Sequence, residues 1–210
     1  MNSQKHISTI GKSWLLLLLL ILLAGCKTQS AQQPIKAPPP SPAVTQEPSP
    51  TPTEIPVAVS ETVGQASTKI CDNISNRNQN LNLAIKAVNG KTLNPGEEFS
   101  FNKTVGPRTV EKGYLEAIGY DENGEKSPTI GGGICQVSST LYMAAKNGNF
   151  LITERHSHSH EVPYADSNND ATVSYGGYDF RFQNNRDKPV TIKMSTDGVN
   201  VFAELILQSA

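Results

Sequence analysis

Residues 131–155 read GGGICQVSSTLYMAAKNGNFLITER, and the fold turns on them. Three glycines open the stretch. Ile134, Val137, Leu141 and Ala145 then recur on one helical face, and Gly148 stops the pattern. Over residues 150–155 apolar and polar side chains alternate instead, the period of a strand. One short segment therefore predicts a helix followed directly by β-structure.

The same reading extends in both directions. Upstream, residues 73–88 carry Ile74, Leu81, Ala84, Ile85 and Val88 on one helical face, with Gly90 as the stop. Asn94-Pro95-Gly96 is a turn signal, residues 98–102 alternate like a strand, and residues 121–124 read as another turn. Downstream, residues 170–175 and 178–183 alternate about a two-residue Gly176-Gly177 loop. Residues 190–195 and 199–207 do the same about Asp197-Gly198. Helices come first and antiparallel strands cluster later. The expected fold is α+β, with two main helices and an antiparallel sheet of C-terminal hairpins.

The N-terminal part is different material. Nine of the 14 prolines lie between Pro34 and Pro56, whereas 14 of the 16 glycines lie from Gly64 onward. Residues 1–26 read as an export signal, with Lys5 and Lys12 before an unbroken apolar run over residues 14–23. That run is too short for a membrane span, which needs roughly 20 apolar residues. Leu23-Ala24-Gly25-Cys26 follows and resembles a bacterial lipobox, which implies lipid attachment to Cys26 and anchoring to the membrane by several acyl chains. Residues 27–63 are rich in Pro, Ser, Thr, Gln and Glu and lack apolar periodicity, the composition of a disordered tether. Fully extended, its stretch from Lys27 to Pro56 reaches on the order of 90 Å. The expected domains are the signal at 1–26, the linker at 27–63 and a folded domain at 64–210.

Eighteen basic residues against 19 acidic ones argue against nucleic acid as a partner. Three cysteines are too few for a disulfide scaffold, and their spacing fits no zinc finger. No Gly-Lys-Ser/Thr follows the triple glycine, so it is not a Walker loop.

Gly131, Gly132 and Gly133 let the backbone turn tightly and approach another group closely. The helix that begins there has free N–H groups and a positive dipole end. Cys135 lies in its first turn, a position that favours thiolate over thiol. Ser139 and Tyr142 share its face.

The stretch resembles the signature of the VanW family, and the likeness continues on both sides. Arg77-Asn78 with Asn80, Pro95-Gly96-Glu97 with residues 99–102, Gly106 with Arg108-Thr109, and Gly113-Tyr114 resemble the N-terminal half of that family. Glu154-Arg155 with His158-Ser159, Tyr164, residues 170–173, and Asp179 with Phe182 and Asn184 resemble its C-terminal half. The family pattern has a Gly shortly before the Asp-Ala pair, where this chain has Ser167-Asn168-Asn169. The family is named for its association with glycopeptide-antibiotic resistance clusters. The resemblance therefore implies a role in the bacterial cell envelope, outside the cytoplasm.

Two chemistries are open to the residues. His156, His158 and His160 alternate, so in a strand all three imidazoles would face one way. Cys135 with one of them makes a nucleophile and its base. His158 is the expected base because it falls within the family motif, with Asp170, Asp179 or Asn184 to orient it. The substrate would be a peptidoglycan stem peptide, for a peptidase or a transpeptidase. Alternatively the histidines hold zinc with Glu161 or Asp166. Cys135 could also be an inert packing residue or form a disulfide with Cys71. The expected assignment is Cys135 and His158 as the catalytic pair. Gly131, Gly132, Gly133, Gln136, Ser139, Arg155, Asp170 and Asp179 are expected at the binding site, with no cofactor and no metal. The competing class is a non-catalytic module that binds peptidoglycan or another anionic wall ligand, using the glycine-rich helix start and the arginines.

Overall fold

The computed structural model describes residues 60–120 and 125–209. The export segment, Cys26, the Pro-rich stretch to residue 59 and the expected turn at 121–124 lie outside the described residues. Along the chain run β1 (Glu61–Lys69), α1 (Ser75–Val88), β2 (Thr92–Leu93), β3 (Glu98–Ser100) and α2 (Phe101–Val105). There follow β4 (Glu116–Tyr120), β5 (Lys126–Ile130), α3 (Ile134–Asn147), β6 (Leu151–Glu154), β7 (Arg181–Gln183), β8 (Val190–Thr196) and β9 (Asn200–Leu207). The fold is α+β.

The strands make three antiparallel sheets, in orders β1-β9-β8-β2, β3-β7-β6 and β4-β5. The C-terminal hairpin β8–β9 is as expected. Its sheet is completed at both edges by strands from earlier in the chain, β1 on β9 and β2 on β8. β1 takes in residues 61–63, which by composition belong to the tether, so the ordered domain starts ahead of residue 64.

α3 is the central element. It lies against β1, β9, α1 and β6. Val137, Leu141, Ala144 and Ala145 are fully buried with Val201, Ala203 and Leu205 of β9 and with Phe180 and Phe182. Burying a side chain such as Leu141 stabilises the fold by about 1.5–3 kcal/mol relative to exposure. α1 buries Leu81, Ala84, Ile85 and Val88, as its periodicity predicts. Ile74 does not join that face. It sits at the N-cap and is 49% exposed.

Of two expected strands one is cut short and the other is absent, each for a local reason. The alternation over residues 98–102 stops at Ser100, whose Oγ accepts the Lys103 N–H and caps α2. Residues 170–175 have no strand partner because α3 side chains take their backbone groups. Ala171 N–H donates to Ser139 Oγ at 2.9 Å, and Ser138 Oγ donates to Ala171 O at 2.6 Å. Strand pairing resumes only at β7, which joins β3 and β6. Among the described residues no helix is long and apolar enough to cross a membrane.

Candidate active site

The triple glycine brings the start of α3 against β4 and α1. A Cβ at Gly132 would overlap the backbone carbonyl of Ala117, so only glycine lets the two chains approach this closely. Gly133 is the N-cap of α3 with φ +101°, and a Cβ there would lie 2.8 Å from Arg77 Cγ. The side chain of Asn80 on α1 fixes the junction, donating to Leu115 O and Gly132 O and accepting the Leu115 N–H. Gly131 and Gly133 carbonyls accept the Ile134 and Gln136 N–H groups. Cys135 is thereby set in the first turn, partly exposed.

His158 arrives from the opposite side. Residues 156–160 are not a strand, so the three histidines do not share a face. His156 turns to Glu154 Oε1 at 3.1 Å and lies against the Tyr178 ring, with centroids 4.5 Å apart. His158 is the imidazole that hydrogen-bonds Cys135. Its backbone N–H and its Nδ1 both reach Asp170 Oδ2 at 2.6 Å. A carboxylate only accepts, so Nδ1 carries hydrogen and Nε2 is the nitrogen left to exchange a proton with the thiol.

Asp170 is itself held. Arg155 Nη2 lies 2.6 Å from its Oδ1, and Arg155 Nε donates to its main-chain oxygen at 2.7 Å. The side chains of His158 and Asp170 are 5% and 2% exposed. Cys135, His158 and Asp170 thus form a nucleophile, a base and an orienting acid on three different segments.

The electrostatics follow from this contact. Burial opposes a charged Cys135, but hydrogen bonding and charge from His158 outweigh it, and the thiol is held below its ordinary pKa. Burial likewise opposes a charged His158, yet Cys135 and Asp170 raise its pKa. As a thiol, Cys135 donates to Val173 O at 3.5 Å. Thr172 Oγ1, at 3.8 Å, can turn its hydrogen to the sulfur when the thiol ionises.

Cys135 lies where two clefts meet. One, of about 260 Å³, is lined by His158, Tyr164, Tyr178, Arg77 and Ile118. The other, of about 470 Å³, runs along Gly131–Gly133, Thr129 and Ile130 to Arg108 and Tyr175. The β4–β5 hairpin walls both clefts on one side, and residues 173–174 wall both on the other.

Of the residues expected at the site, the structure brings together Cys135, His158, Asp170, Arg155 and the three glycines. It places the others elsewhere. Gln136 is fully buried, accepting from Arg77 Nη2 at 2.8 Å and donating to Thr68 Oγ1 and Lys69 O. Ser139 is fully buried between Cys135 O and Ala171. Asp179 accepts from Asn102 N, Phe180 N, Ser100 Oγ and Arg181 Nε and lines neither cleft. Cys71 and Cys135 are free thiols, not a disulfide. Among the described residues no three His, Cys, Asp or Glu side chains converge as a metal-binding group, and Glu161 and Asp166 do not meet the histidines in one.

Arg77, Tyr164 and Thr172 line the clefts without a role of their own in the sequence reading, and Arg108 entered it only among the arginines open to an anionic ligand. All four fall within the motif residues that carry the family resemblance. That was the available signal, but spacing along the chain gave none of them a chemistry. Tyr164 has its pKa pushed well above the usual phenol value, by burial first and then by the charge of Cys135.

A search by sequence family matches residues 76–206 to the family described as VanW like protein. The chain is 42% identical over 146 residues to the uncharacterized protein YoaR of Bacillus subtilis, covering 70% of this chain and 48% of that protein. It is 30% identical over 131 residues to the vancomycin B-type resistance protein VanW of Enterococcus faecalis, covering 60% of this chain and 47% of that protein. The chain therefore spans about half the length of the curated relatives it matches. No solved structure matches it.

Proposed function

This chain belongs to the VanW-like protein family, and from that premise we propose that it is a lipid-anchored envelope enzyme that acts on peptidoglycan stem peptides through Cys135. The observation that carries the reading is the Cys135–His158–Asp170 arrangement at the junction of two clefts.

The chemistry is acyl transfer. The Cys135 thiolate attacks a peptide carbonyl, the amide C–N bond breaks, and protonated His158 gives its Nε2 proton to the leaving amine. An amine or water then attacks the thioester and returns a proton to His158, and the S–C bond breaks. Water as acceptor makes the protein a peptidase, and a second stem peptide makes it a transpeptidase. Asp170 keeps the imidazole in the tautomer that both steps need and stabilises its charged form.

The test is incubation with purified muropeptides, followed by mass analysis of both protein and peptides. A thioester adduct on Cys135 and altered muropeptides are expected from the wild type, and neither from Cys135→Ala. Muropeptides that bind but are never altered would leave a binding module in place of an enzyme.

The anchor is a separate proposal, resting on Leu23-Ala24-Gly25-Cys26. Labelled palmitate should enter the wild-type chain and not Cys26→Ala. Equal labelling of the two would refute it.

A further inference from the structure

Among the described residues, Arg108 is the only arginine, lysine or histidine lining the cleft on the Gly131–Gly133 side of Cys135, and none of the lining residues is a carboxylate. Its guanidinium is pinned. Nη1 donates to Asn102 Oδ1 at 2.7 Å, and the group lies over the Phe101 and Tyr175 rings at 5.7 and 5.9 Å from their centroids. Nη2 is buried and has no hydrogen-bond partner among the described residues. Among the described residues Arg108 makes no ion pair either. Asp179, the nearby carboxylate that acts on its charge, is already occupied by four donors.

A guanidinium held by aromatic rings, with a buried N–H unpaired and no counter-ion, costs free energy unless an anion completes it. Arg155 and Arg181 each hold an aspartate. Arg77, in the other cleft, also leaves a buried nitrogen, Nη1, unpaired, but it pairs with Asp72 at 3.1 Å. Arg186 lies over the Phe150 ring and donates to Gly148 O. Arg108 differs in combining an unpaired buried nitrogen with no ion pair among the described residues, in the cleft beside the nucleophile.

The geometry points to a carboxylate-binding subsite in this cleft, in which Arg108 holds a carboxylate of the peptide whose carbonyl reaches Cys135. A planar fork suits a carboxylate, and the Gly131–Gly133 backbone leaves room for a chain to pass. The inference rests on the proposed action on wall peptides and adds what the site selects: a peptide with a free carboxylate on that side of the reacting carbonyl.

The experiment measures binding rather than turnover, so that the two readings can fail separately. The full chain carrying Cys135→Ala is titrated with an acetylated wall stem tetrapeptide and with versions in which each carboxyl group in turn is a carboxamide. Amidation of one carboxyl should weaken binding by roughly ten- to a hundredfold, the range for a charge-assisted hydrogen bond. The same loss should appear for the unmodified peptide on Arg108→Gln, after which amidation should make no further difference. Arg108→Lys, which keeps the charge but not the fork, should recover part of the affinity. No binding of any peptide, equal binding of all the amidated peptides to the arginine-bearing protein, or a carboxylate preference that survives Arg108→Gln would each overturn the subsite. A preference that depends on Arg108, with no turnover by the Cys135-bearing protein, would uphold the subsite and remove the enzyme.

Discussion

One oxygen of Asp170, Oδ2, accepts both the backbone N–H and the ring Nδ1 of His158, each at 2.6 Å. The carboxylate therefore fixes the position of the residue and the rotation of its ring together. Its other oxygen is held by Arg155. Asp170→Asn keeps the shape but can present an N–H where the imidazole needs an acceptor. Turnover, or alkylation of Cys135 where no turnover is seen, should fall by roughly two to four orders of magnitude. Because Arg155 then faces a neutral amide oxygen in place of a carboxylate, unfolding free energy should drop by about 1–3 kcal/mol. Denaturant titration separates the two effects, and a variant with unchanged Cys135 reactivity would show that Asp170 is only structural.

The two free cysteines of the folded domain should titrate in opposite directions. Burial pushes the Cys71 thiol above its ordinary pKa despite nearby Arg77, while His158 holds Cys135 below its own. Thiolate grows as pH rises through the pKa, so Cys135 reaches its reactive form at lower pH than Cys71. Well below the pKa, each unit of separation is worth about a factor of ten in thiolate. At neutral pH, iodoacetamide should modify Cys135 faster than the more exposed Cys71. His158→Ala removes the opposing contact and leaves burial, so the Cys135 profile should move to higher pH. His156→Ala, which removes a ring paired with Glu154, should not move it. Mass-resolved alkylation across pH checks all three, and Cys71 reacting first at pH 7 would contradict the assignment.

The sequence carries the periodic elements well because periodicity reflects burial on one face. α3 with Val137, Leu141 and Ala145 inward, α1 with Leu81 to Val88, and the β8–β9 hairpin all follow from it. It misleads where side chains take over backbone bonding. Residues 170–173 alternate, yet Ser138 and Ser139 claim the Ala171 backbone, so the segment lies along α3 and delivers Asp170 to His158. The alternating histidines fail for a related reason: the His158 N–H is spent on a carboxylate, not on a strand. Cys135 is readable as a candidate from its helix start, and Asp170 as one of three possible orienting groups. Gln136 is not readable, because a polar residue beside a reactive one can face either the cleft or the core. Arg108 and Tyr164 are brought to the site by separate loops, and spacing along the chain does not record that.

Gln136 sits beside Cys135 in the sequence but faces the core, joining Arg77 of α1 to Thr68 and Lys69 of β1. Gln136→Leu keeps the volume and removes all three bonds at once. A buried guanidinium nitrogen and the Lys69 carbonyl lose this partner, while the Thr68 hydroxyl keeps Thr140 Oγ1, so unfolding free energy should fall by about 2–4 kcal/mol. Below the melting transition, Cys135 should alkylate at close to its wild-type rate. Loss of peptide affinity or alkylation in a protein of wild-type stability would instead place Gln136 at the ligand.

Two glycines separate close packing from backbone strain. A Cβ at Gly132 would overlap Ala117 O and lie 2.6 Å from Ala117 C. That neighbour is backbone, and it cannot swing aside. It is tied in place, since Leu115 O accepts the Gly131 N–H while Asn80 bridges Leu115 and Gly132. Gly132→Ala must therefore separate β4 from the start of α3. Gly176 is the opposite case. Its φ of +84° disfavours a side chain, but nothing lies within 4 Å of the added carbon. Gly176→Ala should cost about 1–2 kcal/mol, the strain of a left-handed conformation, and leave Cys135 alkylation unchanged. Gly132→Ala should cost about 3 kcal/mol or more, as overpacking against rigid backbone does. It should also slow alkylation of the folded protein, because the shifted helix start carries Cys135 away from His158. Denaturant titration and alkylation of both variants decide it. If Gly132→Ala matched Gly176→Ala in stability and kept full Cys135 reactivity, the close approach of β4 would not be what holds the nucleophile in place.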